Sequence, residues 1–220
     1  VALDNHKFGD YSPYLYKTSN GGKSWKPIIN GLPEDTFVWR IVQDHVDPNL
    51  LFLATEYGLY LSNNQGDKWT KFSTGLPTIS IRDLAIQKRE NDLVVATFGR
   101  GFYVLDDYSP LRKLNQKNSN EHLLFDVKEA LQYNPIRPGT SSQGSSYFQS
   151  KNPPYGAVFT YNLPKSYKSL KSLRSQEEKE LDKLNKDVPF PGWENLDKEI
   201  NEIKSKIILE IRDEKGDLVD

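Results

Sequence analysis

Apolar residues in the first half of the chain occur in short runs that are separated by polar, glycine-containing turns. Val38–Gln43 and Gly58–Ser62 are runs of strand length, and Leu50–Thr55 is apolar almost throughout. A further short run, Trp69–Phe72, follows the next turn. Runs of this length between turns are typical of β-strands. The segment 38–72 therefore predicts four antiparallel strands.

Parts of this pattern recur along the chain at a nearly constant spacing. Thr18–Trp25 matches Ser62–Trp69 with an offset of 44 residues, and a Gly-Leu-Pro triplet recurs with the same offset. Two further groups recur with an offset of 42; they are Arg40-Ile41-Val42 with Arg82-Asp83-Leu84, and Ala54-Thr55 with Ala96-Thr97. A repeat of this length with four short strands is typical of a β-propeller blade.

The recurring turn resembles the Asp-box, or BNR, motif, which reads Ser/Thr-x-Asp-x-Gly-x-x-Trp and joins the third and fourth strands of a blade. The matching residues are Thr18, Asn20, Gly22 and Trp25 in one copy, and Ser62, Asn64, Gly66 and Trp69 in the other. Asn replaces Asp in both copies, but it keeps an acceptor oxygen, so we expect both turns to form. The resemblance implies that both tryptophans are buried in equivalent positions between blades.

The predicted strands are too few to form a closed propeller. Tyr14–Lys17 and Trp25–Ile29 read as the last two strands of one blade, and Val38–Phe72 as a complete blade. The next blade has three predicted strands, which are Ile81–Ile86, Leu93–Thr97 and Gly101–Leu105. Since propellers have about 4–8 blades, we expect the remaining blades elsewhere in the same protein or in a larger assembly. The absence of Met, with Val1 in first place, also leads us to expect a processed or excised piece.

The second half combines strands with a charged helical region. Leu123–Val127 and Ala157–Leu163 have strand character, and a Ser- and Gly-rich low-complexity loop, 137–150, lies between them. Leucines and isoleucines at helical spacing predict two amphipathic helices between 165 and 206, separated by Phe190–Trp193. These helices are either a solvated excursion or a partner-binding coiled coil. Ile207–Arg212 predicts a strand that leads into a hairpin turn.

Composition excludes several classes of function. The 29 basic and 30 acidic side chains give a net charge of −1, which disfavours nucleic-acid binding. No apolar run is long enough to span a membrane. The absence of cysteine excludes disulfides and thiolate chemistry. His6, His45 and His122 have no metal-ligand spacing, and we expect no metal or cofactor.

Nearly the whole chain resembles a family of large Bacteroidetes proteins with BNR repeats and sortilin-type (vacuolar sorting receptor) propellers, often labelled glycosyl hydrolases. The resemblance rests on the box turns, on 54–58, on 98–107, and on 152–157 with 208–213. It implies an immunoglobulin-like sandwich after the propeller, and a secreted, periplasmic or outer-envelope location. The predicted segments are propeller blades over 1–112, a linker and first sandwich strands over 113–164, a helical insertion over 165–206, and further sandwich strands over 207–220.

Ligand contacts are expected at the end of the blades opposite the box turns. Alternate loops of an antiparallel meander share an end, so Glu56, Tyr57 and Arg100 lie there together and are the candidate ligand-binding residues. Arg100, between two glycines, is also expected to bond backbone carbonyls. Family members have His where this chain has Phe98. No catalytic residue is assigned, because glycoside hydrolysis needs paired carboxylates and only Glu56 is seen. The leading hypothesis is a non-catalytic scaffold that binds protein or glycan; the alternative is a glycosidase.

Overall fold

Two compact units make up the computed structural model, Val1–Pro164 and Lys165–Asp220. The structure describes residues 1–114, 119–130, 132–134, 155–165, 167–203 and 206–219. The fold is mainly β, with antiparallel sheets and no closed barrel among the described residues. The low-complexity loop predicted over 137–150 lies outside the described residues.

Three antiparallel sheets form most of the first unit. The first sheet contains β1 (Ala2–Asn5), β2 (Asp10–Lys17) and β3 (Lys26–Pro27). The central sheet contains β4 (Val38–Gln43), β5 (Leu51–Thr55), β6 (Gly58–Ser62) and β7 (Thr70–Phe72). The third sheet contains β8 (Ile81–Gln87), β9 (Asp92–Thr97) and β10 (Phe102–Leu105). The four strands predicted in 38–72 and the three predicted in 81–105 are therefore present.

The central sheet is buried on both faces, which explains the unbroken apolar run of β5. Leu53 packs with Leu15 and Ile28 of the first-sheet region. Phe52 and its neighbours on the opposite face pack with β8 and β9 of the third sheet. All five residues of β5 are buried. A strand with a core on each side needs apolar residues at every position rather than at alternate ones.

Strand register corrects the repeat offset that the sequence indicated. Val38 pairs with Thr55 and Ile81 pairs with Thr97, so β4 and β8 correspond with an offset of 43 rather than 42. A bulge lies at Trp39 in β4 and at the matching position, Arg82, in β8. A bulge re-aims the side chain of the extra residue. Trp39 and Arg82 are therefore equivalent, although the sequence pairs Arg40 with Arg82.

The two outer sheets each have three strands where the central sheet has four. The first sheet has one strand more than predicted, β1, which pairs with β2. The third sheet is ordered β10-β9-β8, and no described strand takes the place that β7 has beside β6. The chain instead leaves β10 and enters a short helix, α1 (Pro110–Lys113).

The remaining elements are one short strand pair and two helices. β11 (Leu123–Leu124) pairs with β12 (Tyr161–Asn162), so both predicted strands shrink to two residues. The second unit has α2 (Leu170–Lys183) and α3 (Trp193–Ile200), which agree with the two predicted helices. No helix in the described ranges is long and apolar enough to cross a membrane.

The prediction of a strand over Ile207–Arg212 is wrong except at its last residue, Arg212. Arg212 forms an isolated bridge with Leu218, and the turn between them is closed by the Asp213 amide, which donates to the Asp217 carbonyl. A strand needs a ladder of hydrogen bonds with a neighbour. Residues 207–210 have no such ladder within the described part of the chain.

Candidate functional site

The first two sheets carry the same turn between their last two strands. In the first turn, Asn20 Oδ1 accepts the Ser24 amide at 3.0 Å, and Thr18 Oγ1 accepts the Gly22 amide at 2.9 Å. The second turn has the same pair of bonds, from the Lys68 amide to Asn64 Oδ1 at 3.0 Å and from the Gly66 amide to Ser62 Oγ at 2.9 Å. Asn therefore supplies the acceptor that the turn requires. Both glycines have positive φ.

The two tryptophans of these turns lie in different environments. Trp69 is 2% exposed, and its Nε1 donates to the Ile28 carbonyl at 2.7 Å. Trp25 is 47% exposed. The expectation that both are buried is therefore wrong for Trp25. The reason is the position of the sheets, because Trp69 faces the first sheet, whereas no described sheet covers the equivalent face beside Trp25.

A continuous row of rings and one guanidinium crosses the three sheets at the end opposite the box turns. We call this row the aromatic strip. Its members are Tyr11, His6, Phe37, Trp39, Arg82 and Phe98. His6 stacks on Phe37 at 5.0 Å, and Phe37 meets Trp39 edge to face at 5.1 Å. The strip thus joins residues that are distant in the sequence.

Arg82 joins the central part of the strip to the third sheet. Its guanidinium carbon lies 3.9 Å from the centre of the Trp39 ring and 5.0 Å from that of Phe98. Phe98 is 68% exposed, so most of its surface is accessible to a ligand. Cation–π contacts of this kind hold a guanidinium in place by about 0.5–1 kcal/mol at exposed sites. The strip therefore holds the Arg82 guanidinium between two aromatic rings.

Glu56 lies beside the strip and its carboxylate is already engaged. Its Oε2 accepts Trp39 Nε1 at 2.9 Å and Ser80 Oγ at 2.7 Å. Arg82 approaches the same oxygen at 3.8 Å. These contacts assign Glu56 the task of fixing Trp39 and Arg82. At the other end of the strip, the Asp4 carboxylate contacts His6 Nδ1.

The other two predicted ligand residues are not drawn into this network. Tyr57 is exposed in the β5–β6 turn, and its amide donates to Thr55 Oγ1. Arg100 is exposed in the β9–β10 turn and makes no hydrogen bond among the described residues. The expected bonds from Arg100 to carbonyls are absent; the Gly101 carbonyl instead accepts the Thr97 amide and hydroxyl. The turn is therefore closed by Thr97 and Gly101 without the guanidinium.

Sequence reasoning missed the strongest members of the strip, Trp39, Arg82 and His6. Trp39 and Arg82 are bulged residues, and a bulge is not visible in an apolar pattern. The alternation of loops in an antiparallel meander also predicts that Gly31–Phe37 and Gly75–Ser80 lie at the end that carries Glu56 and Phe98. The structure brings them together there, since the Glu56 amide donates to the Phe37 carbonyl and the Phe98 amide to the Ser80 carbonyl.

A cluster of buried polar side chains lies at the same end of the sheets as the box turns. It attaches the segment that follows β10 to the central and third sheets. Arg112 donates to both oxygens of Asp44, at 2.7 and 2.9 Å, and also to the side chain of Asn91. Tyr108 is fully buried and donates its hydroxyl to Asp44 at 2.5 Å. Burial alone would raise the pKa of Asp44, but the bonds from Arg112, Tyr108 and the Asp47 amide outweigh it and hold the pKa well below its usual range.

Burial, together with the bond to Asp44, raises the pKa of the Tyr108 hydroxyl. Each buried polar side-chain atom among the described residues, including those of this cluster, has a hydrogen-bond partner. The hydrogen bonds of this cluster join the end of the central sheet to the third sheet and to the segment after β10, and we call the cluster the buried clamp. Within the described ranges no group of three or more His, Cys, Asp or Glu could hold a metal ion.

Comparisons of the chain with protein-family models, with curated proteins and with solved structures gave no match.

Proposed function

We propose that the chain is part of a non-catalytic propeller scaffold of the BNR, sortilin-type family, which binds protein or glycan through the aromatic strip. The strip is the observation that carries this proposal. Exposed rings and a guanidinium are the groups that recur at binding surfaces, because they offer large contact areas with polar edges. A secreted or envelope location, with further blades in the same protein or in an assembly, belongs to the same proposal.

The arrangement of the sheets supports the propeller part. The first sheet packs on one face of the central sheet and the third sheet packs on the other, each through apolar side chains. The same turn occurs at the same place in two successive sheets. The exposed face beside Trp25 repeats the residues of the covered face, since Tyr16 corresponds to buried Tyr60 and Trp25 to buried Trp69. We therefore expect a further sheet to pack against the face beside Trp25.

A glycosidase is the competing proposal, and Glu56 beside Arg82 is the observation that favours it. Glycoside hydrolysis requires two carboxylates roughly 5–10 Å apart, one acting as acid and the other as base or nucleophile. Glu56 holds Trp39 and Ser80, and Asp4 is paired with His6. Both carboxylates therefore have structural partners, which favours binding over turnover.

A glycan array with the full chain tests the binding role. We expect labelled wild-type protein to bind a subset of glycans, and Phe98→Ala and Arg82→Gln to lose at least tenfold in affinity. Phe190→Ala is the matched control, because Phe190 is an equally exposed aromatic residue of the second unit. Binding that survives both strip substitutions would remove the strip from the proposal.

The same preparations distinguish the glycosidase. Hydrolysis of methylumbelliferyl glycosides by the wild type, abolished in Glu56→Gln at an unchanged melting temperature, would replace the scaffold proposal with the enzyme. We expect no hydrolysis by either protein.

A further inference from the structure

Two asparagines of the first unit are followed directly by glycine. They form the sequences Asn20-Gly21 and Asn30-Gly31. In such a sequence the glycine amide nitrogen can attack the asparagine side chain and displace ammonia, because glycine has no side chain to hinder the approach and its backbone turns freely. Both dipeptides are equally suited to this reaction, so a difference between them comes from the structure around each.

The hydrogen bonds of the Asn20 side chain favour attack on its amide carbon, Cγ. Its Oδ1 accepts the Ser24 amide and the Thr18 hydroxyl, both at 3.0 Å. Two donors on this oxygen stabilise the negative charge that develops there when a nucleophile adds to Cγ. The Nδ2 group, which has to leave, donates to Ser24 Oγ at 2.8 Å. The first box turn therefore activates the electrophile.

The nucleophile next to Asn20 is also accessible. The Gly21 amide donates no hydrogen bond to any described residue. Both residues are exposed, and nothing lies within 4 Å of the position that a Cβ on Gly21 would take. The peptide between Asn20 and Gly21 therefore has space to rotate toward the geometry of ring closure.

The other Asn-Gly sequence is attached to the second box turn. The Asn30 carbonyl accepts the Trp69 amide at 2.9 Å, and the Asn30 side chain donates to the Asp67 carbonyl at 3.0 Å. The Trp69 backbone oxygen lies where a Cβ on Gly31 would stand. The peptide between Asn30 and Gly31 cannot rotate without breaking these contacts, so the same reaction is hindered there.

The second box turn has the activated side chain without the accessible nucleophile. Asn64 Oδ1 accepts the Ser62 hydroxyl at 2.7 Å and the Lys68 amide at 3.0 Å, as in the first turn. The amide that follows belongs to Gln65, and it donates to the Asn49 carbonyl at 3.0 Å. The two turns therefore differ in whether the following nitrogen is engaged.

We propose that Asn20 is a site of spontaneous deamidation in the folded protein, and that Asn30 and Asn64 are protected from it. The Gly21 nitrogen loses its proton to solvent and forms a bond to Asn20 Cγ. The Cγ–Nδ2 bond then breaks, ammonia leaves, and a cyclic succinimide remains. Water opens the ring at Cγ to give aspartate, or at the backbone carbonyl carbon to give isoaspartate. The overall change converts an amide and water to a carboxylate and ammonium.

The two products affect the first box turn differently. Aspartate is the residue that the box motif has at this position, and its carboxylate still accepts the Ser24 amide while the turn gains a negative charge. Isoaspartate adds a carbon to the backbone between Asn20 and Gly21 and so shifts the groups that close the turn. The first turn thus acquires its acid after synthesis, without an enzyme.

Peptide mapping of the full chain after incubation at mildly alkaline pH tests the proposal. Trypsin separates the two Asn-Gly sequences, because Asn20 lies in peptide 18–23 and Asn30 in peptide 24–40. Mass spectrometry measures the change from amide to carboxylate in each peptide, and fragment spectra assign it at Asn64. In the folded protein, we expect Asn20 to convert at least tenfold faster than Asn30 or Asn64. In urea, the rates at Asn20 and Asn30 should converge.

Two variants make the test specific. Gly21→Gln places at this position the residue that follows Asn64; Gln65 has a φ of 58° and Gly21 a φ of 68°, so the turn accepts the change. It should slow conversion of Asn20 at least tenfold with little change in melting temperature. Asn20→Asp, which has the sequence of the aspartate product, should melt close to the wild type. Conversion of Asn20 no faster than that of Asn30 in the folded chain, or an unchanged rate in Gly21→Gln, would overturn the proposal.

Discussion

Replacing Trp69 with alanine tests how the first sheet packs on the central sheet, because Trp25 provides a control at the equivalent position of the same chain. Trp69 is 2% exposed and its indole N–H donates to the Ile28 carbonyl. A buried aromatic side chain covers about 150–250 Å², which at about 25 cal/mol per Å² corresponds to about 4–6 kcal/mol. The alanine side chain still buries a small part of this area, so the loss is somewhat smaller than this range.

We expect Trp69→Ala to lower the free energy of unfolding by about 3–5 kcal/mol, in line with other buried aromatic-to-alanine changes. The lost hydrogen bond to Ile28 contributes about 1 kcal/mol of this. Trp25 is 47% exposed and has no such bond among the described residues, so Trp25→Ala should cost about 1 kcal/mol or less. The two variants should differ by about 2 kcal/mol or more.

Urea unfolding followed by far-ultraviolet circular dichroism measures both variants without relying on tryptophan emission. Trp69→Phe adds a check, since it keeps most of the apolar area and lacks the N–H, and should fall between wild type and Trp69→Ala. Equal losses for Trp69→Ala and Trp25→Ala would refute the reasoning, because they would mean that the two indoles have the same surroundings.

The remaining predictions concern the box turn, the buried clamp and the β9–β10 turn. Asn64→Ala should lower the free energy of unfolding by about 1 kcal/mol, because the turn loses its acceptor, whereas Asn64→Asp should leave it nearly unchanged; thermal melting compares them. The pKa of Asp44 is lowered in the folded state, so its stabilising effect is present above the unfolded value of about 3.9 and is lost as pH falls below it. Urea midpoints at several pH values should therefore fall steeply in acid for wild type and less steeply for Asp44→Asn; parallel curves would contradict the clamp. Arg100→Lys should change the melting temperature very little, since Arg100 makes no hydrogen bond to a described residue, and a large loss would show a missed contact.

Local interactions account for what the sequence determined by itself. The box turn is closed by bonds that span four residues, such as Ser24 to Asn20, so an eight-residue motif is enough to predict it. Strand lengths follow from local β-propensity and turn residues, and the ranges of β4 to β10 agree with the pattern for that reason. The two helices of the second unit follow in the same way from helical spacing.

The aromatic strip could be predicted from the sequence only in part. The meander predicts that Glu56 and Phe98 share an end, because hairpin connections fix which loops lie together. It does not predict that Trp39 and Arg82 stack, since their bulges shift the register by one residue and turn both side chains toward each other. The glycines on either side of Arg100 led to the expectation that its guanidinium binds backbone carbonyls, yet the turn is closed by the Thr97 amide, which donates to the Gly101 carbonyl.

Contacts between distant segments determine which side chains are buried and which predicted strands form. Trp25 and Trp69 occupy the same motif, yet one indole is buried and the other is half exposed, because burial depends on whether another sheet packs against that face. The apolar run Ile207–Arg212 has strand composition, but a strand also needs a neighbour to receive its hydrogen bonds, and the described residues provide only the bridge at Arg212. Sequence determines the elements that form from neighbouring residues; the packing of distant segments determines which of their faces and edges remain open.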